Sequence, residues 1–367
     1  AALAAMAVGV ACAQENSVAK FDPRMAVQSA VVDTNGVKWI DGKYLPIEGR
    51  YFDNTSAYYD RLPSNVTVKV NGGVRGMKNH SSGMQFRFST DSRNLHIKWK
   101  PVNVRLAMDH MPSTGVSGID IYRQDADGKW KFVRQGRITD GVKGGSLTIG
   151  WTPGTPCLVN LPLYNGIKEF SLGIDRSAEV KALPPRKSGV NKPVVFYGTS
   201  ITHGGCASRP GLAFPSIVGR DLDVPICNLG FSGSGRMELE MSEHLAAIDA
   251  SCYVLDCLWN MKYDQVVERF EPFLRKLKAA KPDVPILTVE MCVADNKANR
   301  QSLFIRGVVE KLKKEDPKRW SNLRHITAER LYFDDGEGTI DRCHPNDWGM
   351  MKISGEMIAE VEKLLFR

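Results

Sequence analysis

Val194-Val195-Phe196-Tyr197-Gly198-Thr199-Ser200-Ile201-Thr202-His203-Gly204-Gly205 is the stretch that decides the fold. Its first four residues are apolar without interruption, whereas a strand with one face in water would alternate. A strand buried on both faces belongs in a parallel sheet covered by helices, and the glycines that follow suit a sharp turn from strand to helix. Toward the C-terminus the rhythm repeats. Apolar runs lie at Val224-Pro225-Ile226-Cys227, Cys252-Tyr253-Val254-Leu255, Pro285-Ile286-Leu287-Thr288-Val289 and Leu323-Arg324-His325-Ile326. Between them apolar residues recur at helical spacing, at Val266-Val267, Phe270, Phe273-Leu274 and Leu277, then at Ile305, Val308-Val309 and Leu312. A last helix is predicted from Asp347 to Leu365. Alternating strands and helices connect parallel strands by right-handed crossovers, so residues 191–367 are expected to form a three-layer α/β domain.

Toward the N-terminus the pattern changes. Val66-Thr67-Val68-Lys69-Val70 precedes Asn71-Gly72-Gly73, and Met84-Gln85-Phe86-Arg87-Phe88 precedes Ser89-Thr90-Asp91. Leu95-His96-Ile97-Lys98-Trp99, Gly118-Ile119-Asp120-Ile121-Tyr122 and Trp130-Lys131-Phe132-Val133 continue the series. Short alternating runs between turn residues predict antiparallel strands with one wet face, and a β-sandwich is expected over residues 21–185. The segment Ala182-Leu183-Pro184-Pro185-Arg186-Lys187-Ser188-Gly189 reads as the linker.

The 367 residues are 43% hydrophobic and 25% charged, enough for a large core in one or two domains. The net charge of +8 comes from Lys and Arg scattered among Asp and Glu. Such scattering suits solubility and some attraction of anionic substrates, and it argues against a nucleic-acid partner. Ala1 to Ala13 is small and apolar and ends Ala11-Cys12-Ala13 before Gln14-Glu15-Asn16, the core and cleavage pattern of a secretory signal peptide. A remnant of such a signal over residues 1–13 implies a secreted or periplasmic protein without stable membrane insertion. A lipid anchor at Cys12 is the weaker reading, because Gly9 stands where a Leu would be expected. Of the other cysteines, Cys227, Cys252, Cys257 and Cys292 lie in or beside apolar runs and read as buried thiols. No cysteine spacing resembles a zinc site, and no metal is called for.

In a parallel α/β sheet the ligand site lies beyond the carboxyl ends of the strands. Ser200 follows the first strand, and a serine hydroxyl becomes a nucleophile once a base takes its proton. The glycine-rich Asn228-Leu229-Gly230-Phe231-Ser232-Gly233-Ser234-Gly235-Arg236 follows the second and offers backbone N–H groups to an oxyanion or a phosphate. After the third, Leu258-Trp259-Asn260-Met261 places an amide donor. Last comes Asp341-Arg342-Cys343-His344-Pro345-Asn346, in which the Asp can orient the imidazole and stabilise its cation. Asn346 or Asp347 would cap the last helix.

Together these segments resemble the SGNH (GDSL-like) hydrolase superfamily, whose ordered blocks supply Ser, Gly, Asn and His with an Asp three residues before the His. Ser200, Gly233, Asn260, Asp341 and His344 occupy those places, with Gly198-Thr199-Ser200-Ile201-Thr202 where Gly-Asp-Ser-Leu would stand. Gly118-Ile119-Asp120-Ile121-Tyr122 is similar to the G-x-D-L-Y signature of a β-rich domain that precedes one branch of these enzymes, and Gly205-Cys206-Ala207-Ser208-Arg209-Pro210-Gly211 is similar to a run in that branch. His203 and Cys343 depart from its pattern. The resemblance implies a three-layer α/β/α, flavodoxin-like domain behind a β-sandwich. It further implies a serine carboxylic-ester hydrolase with Ser200, Asp341 and His344 as triad, and with Ser200, Gly233 and Asn260 as oxyanion donors. No cofactor is then needed.

An O-acetylated carbohydrate is the expected substrate, with Arg236, Trp259 and Met261 beside the oxyanion residues as candidates for its binding wall. Short acyl esters of non-sugar alcohols are the alternative. A carbohydrate-binding protein with an inactive hydrolase domain is the rival from another class. A nucleotide site at Gly230 to Gly235 lacks a cofactor fingerprint. If the triad forms, Cys206 and Cys343 come near each other, and whether they pair stays open at this level.

Overall fold

The computed structural model describes residues 30–66, 69–138, 144–291 and 298–366. The signal-like stretch 1–13, with Cys12, and Cys292 lie outside the described residues.

Two antiparallel sheets occupy the first half. One runs Val31–Val32, Val37–Asp41, Ile167–Asp175, Asn94–Pro101, Gly145–Gly150 in spatial order. The other runs Val180–Ala182, Gln85–Thr90, Pro156–Asn160, Ile119–Gln124, Trp130–Gly136, with Ile47–Glu48 also paired to Gln85–Thr90. Along Asn94–Pro101 the residues Leu95, Ile97 and Trp99 are buried while Asn94 and Lys98 are exposed, the alternation that the pleat imposes. Phe86 and Phe170 meet between the sheets with ring centroids 4.4 Å apart, among Phe88, Ile97, Ile121, Val159 and Leu172. This is the expected β-sandwich.

Of the strand expected at Val66 to Val70, residues 67 and 68 lie outside the described residues, while Val66, Lys69 and Val70 are in no strand, the last two being turn and bend. Asn71 instead caps a short helix, Gly72–Gly76, accepting from the Gly73 N–H. Val70 and Val74, with Phe52 and Leu62, join the core of the following α/β domain. Val66 and Val70 thus find burial against the core of the α/β domain, and tertiary burial overrides local preference.

In the second half five parallel strands form one sheet: β1 Val194–Gly198, β2 Ile226–Gly230, β3 Cys252–Asp256, β4 Ile286–Val289 and β5 Leu323–Ile326. Their spatial order is β2-β1-β3-β4-β5. Every residue of β1 to β4 is buried. Helices Leu239–Ala246, Tyr263–Ala280 and Arg300–Glu315 cover one face through Leu245, Phe273 and Leu312. Helices Phe214–Asp221 and Asp347–Leu365 cover the other through Val218, Ile353 and Val361. That is the three-layer arrangement. β2 begins later than its sequence suggested and takes in Asn228 to Gly230, so the loop after it starts at Phe231. Asn346 caps the last helix, accepting from Gly349 N. Among the described residues no helix is long and apolar enough to cross a membrane.

The two signatures read separately in the sequence meet in space. Asp120 is fully buried and accepts from Asn160 Nδ2 at 2.8 Å, Arg209 Nη1 at 3.0 Å and the Gly211 N–H at 2.8 Å. Tyr122 lies beside both, its hydroxyl bonded to Arg209. A side chain at Gly211 would strike Tyr122 and Asp120, which is why that position needs glycine.

Candidate active site

β1 ends at Gly198, and Thr199 starts the short helix Ser200–His203 by accepting from Ile201 N through its hydroxyl. Gly204 closes it in the left-handed region at φ +100°, which glycine enters without cost. Ser200 is therefore held at a helix N-terminus, whose first N–H groups have no partner within the helix. The residue is 6% exposed. Ser200 Oγ lies 2.9 Å from His344 Nε2, and His344 Nδ1 lies 2.7 Å from Asp341 Oδ2. Asp341 Oδ1 also accepts the backbone N–H of His344 at 2.7 Å and of Cys343 at 3.0 Å. Burial acts to raise the Asp341 pKa, but these N–H bonds and the imidazole outweigh it and hold the carboxyl below its ordinary value. With Nδ1–H donating to Asp341, Nε2 is left to accept the Ser200 proton.

The loop after β2 lies beside this turn. Phe231 N donates to Gly198 O at 2.9 Å, and Ser234 and Gly235 N–H both turn back to Phe231 O. Gly233 is exposed at φ +65°, with open space where a side chain would be. Asn260 is half-buried, and its amide reaches Phe231 O at 3.4 Å. Ser200, the Gly233 loop and Asn260 thus share the carboxyl end of the sheet.

Arg236, expected at the binding wall, donates to Gly233 O at 2.9 Å. Trp259 is half-buried and packs against both core clusters of the α/β domain. Met261 is 4% exposed and packs in the core.

Several side chains at the site come from the first half and carried no signal in the sequence. His110 sits on an exposed loop with its ring 6.0 Å from that of His344. Tyr164 donates to the Ser200 carbonyl at 3.2 Å and stacks on His203, centroids 4.2 Å apart and 13° from parallel. His80 and Arg61 lie at the Nε2 edge of His203. Nothing local marks these residues, because their proximity is created only when the sandwich docks.

Cys206 and Cys343 are free thiols. Burial and the neighbouring Asp341 push each of them up to about 12, which keeps them protonated and inert near neutrality. Donor atoms of Asp341, Cys343 and His344 lie within 4.8 Å of one another, the one such group among the described residues that could gather round a cation. In this structure Asp341 Oδ2 and His344 Nδ1 bond to each other.

Residues 191–361 match the model of the GDSL-like Lipase/Acylhydrolase family. Residues 37–180 match the model described as the N-terminus of Esterase_SGNH_hydro-type. No curated protein matches the chain. Among solved structures, a protein named as a GDSL-like lipase from Bacteroides ovatus is similar at 29% identity and a TM-score of 0.79, over 90% of this chain and 98% of that one. A salicylyl-acyltransferase from a tetracycline biosynthetic pathway shares the fold at 15% identity and a TM-score of 0.72, with the same coverage of 90% and 98%. A family two carbohydrate esterase from Cellvibrio japonicus shares it at 9% identity and a TM-score of 0.60, again over 90% and 98%.

Proposed function

We propose that this chain, which belongs to the SGNH/GDSL-like hydrolases with a GxDLY-type N-terminal domain and is an esterase, removes O-acetyl groups from carbohydrate. The observation that carries the chemistry is the hydrogen-bonded series Ser200 Oγ, His344 and Asp341, at 2.9 Å and 2.7 Å, at the carboxyl end of the parallel sheet.

In this reading His344 Nε2 takes the Ser200 proton as Oγ bonds to the ester carbonyl carbon. The oxyanion accepts from the N–H of Ser200, the N–H of Gly233 and the amide of Asn260. Asn260 would turn from its long contact with Phe231 O to do so. Collapse of the adduct breaks the bond to the alcohol oxygen, which leaves with the proton from His344. Water then attacks the acyl-enzyme, His344 takes its proton, and Ser200 regains one as acetate departs. Asp341 stays ionised and orients the ring. Such preorganised donors act without reorganisation at the moment of reaction.

The sugar rests on less than the ester bond does. What supports it is the architecture shared with a carbohydrate esterase, together with polar and aromatic groups around Ser200 (His110, Tyr164, His344, Asn260) where a long acyl chain would want an apolar trough. The signal-like N-terminus supports action outside the cytoplasm. Rates on p-nitrophenyl esters are expected to fall as the acyl chain lengthens from acetate. O-acetylated oligosaccharides should release acetate with the parent chain. A preference for long acyl esters, with no acetate released from any sugar, overturns the substrate reading.

A further inference from the structure

Arg61 is 2% exposed, enters the α/β domain from the first half of the chain, and is an unusual buried cation. Its Nη1 donates to Asn228 O at 3.0 Å and Gly230 O at 2.8 Å, both on the last residues of β2. Its Nη2 donates to Met77 O at 3.0 Å. The guanidinium lies over the ring of Phe231, 4.6 Å from the centroid. Among the described residues no carboxylate pairs with it, and its Nε has no partner. A buried charge without a counter-charge is costly, so one that persists calls for a reason beyond stability.

The reason lies in what it touches. Asn228 and Gly230 are the stem of the loop that carries Gly233, and Phe231 is its first residue. The next peptide is held from the same side: the Ser232 N–H donates to His203 Nδ1 at 3.4 Å. The other ring nitrogen, Nε2, lies 3.3 Å from His80 Nδ1 and 3.5 Å from Arg61 Nη2. His203 can accept from Ser232 only while its imidazole is neutral. Burial first, then the charge of Arg61 at 3.5 Å from Nε2, pulls its pKa well below the ordinary histidine value. His80 is pulled down to about 3 by burial and by Arg61. Tyr164 ties the other end, stacked on His203 and bonded to the Ser200 carbonyl.

We infer that Arg61 is a positioning residue: it fixes the Phe231–Gly233 backbone, through the Asn228 and Gly230 carbonyls and through His203, at the place where the developing oxyanion needs the Gly233 N–H. This rests on the proposed oxyanion role of that loop. It makes the segment between Ile47–Glu48 and Gln85–Thr90 part of the machinery.

The test is kcat and KM on p-nitrophenyl acetate, with active sites counted by fluorophosphonate titration. Arg61→Met should lower kcat per titrated site by about tenfold to a hundredfold, the scale of a small misplacement of a reacting group, with KM nearly unchanged. Arg61→Lys keeps the charge but spans fewer carbonyls, and should fall between Met and the parent. It also carries the test if the Met variant does not fold. Affinity for a boronic acid that forms a tetrahedral anion on Ser200 should fall in step with kcat/KM, which a merely structural role would not produce. Arg186→Met, at a buried ion pair away from the loop, should leave kcat per site unchanged. Parent-like kcat per site in the Arg61 variants, or a loss explained wholly by fewer titratable sites, overturns the inference. Asn260→Ala separates the two readings. If it slows turnover while the Arg61 variants do not, only the positioning role fails. If neither Asn260→Ala nor the Arg61 variants slow turnover, the oxyanion reading fails and this inference with it.

Discussion

Two seams join the sandwich to the α/β domain, and their chemistry differs. At the seam away from the site, Arg186 is 6% exposed in its side chain and bridges Glu48 at 2.5 Å and Asp223 at 2.8 Å. Arg209 and Asp120 make a comparable pair at 3.0 Å. At the seam beside Ser200 the buried arginine faces only carbonyls, an aromatic ring and neutral imidazoles. A guanidinium between carboxylates recovers much of its desolvation cost. One between carbonyls recovers less, but it fixes backbone from several directions at once. The first seam holds the domains together, and the second sets the geometry of a loop.

Three variants bear on that contrast, in order of size. Ser200→Ala should lower ester turnover by about 10⁴- to 10⁶-fold while leaving the melting temperature near that of the parent. Residual turnover close to the parent's would remove the site from which the second seam takes its meaning. Arg186→Met leaves Glu48 and Asp223 without their buried partner, and should cost about 3–5 kcal/mol in a denaturant titration. If it instead slowed turnover per site and left stability alone, the two seams would not differ as described.

The smallest effect is expected at an ion cluster on neither seam. Glu360, on the last helix, bonds to Arg324, Lys363 and Arg330. Burial raises its pKa, yet those bonds outweigh it and bring the carboxyl down to about 2. A depressed carboxylate contributes stability that is present above the unfolded value and lost as pH falls toward the folded one. Glu360→Gln should therefore cost about 2 kcal/mol at pH 7. The gap should narrow below about pH 4 and close as pH approaches the folded value. A gap independent of pH would mean that packing, not charge, is what the Gln removes.

Much of this molecule was legible as pattern. Uninterrupted runs such as Val194 to Tyr197 announced strands covered on both faces, and alternation at Leu95, Ile97 and Trp99 announced a sandwich. The hydroxyl, imidazole and carboxylate were legible because each follows a strand at the same end of a parallel sheet. Legibility failed where a segment left its own domain. Val66 to Val70 looked like a strand because β-branched residues fit a pleat, but Val70 and the neighbouring Val74 are buried in the α/β core. Met261 looked like a candidate for the binding wall because it adjoins Asn260, but it turns into the core.

The sequence by itself determined the two architectures, the order of the blocks, and the residue types able to perform acyl transfer, since periodicity and motif spacing are local properties of the chain. Only the tertiary structure decided that Asp120 and Tyr122 would receive Arg209, that Tyr164 would reach the Ser200 carbonyl, and that Arg61 would lie beneath the Gly233 loop. Arg61 and Gly230 are 169 positions apart. No local preference encodes a meeting at that distance, which exists only once the hydrophobic cores of the two domains have formed and the surfaces between them have been desolvated together.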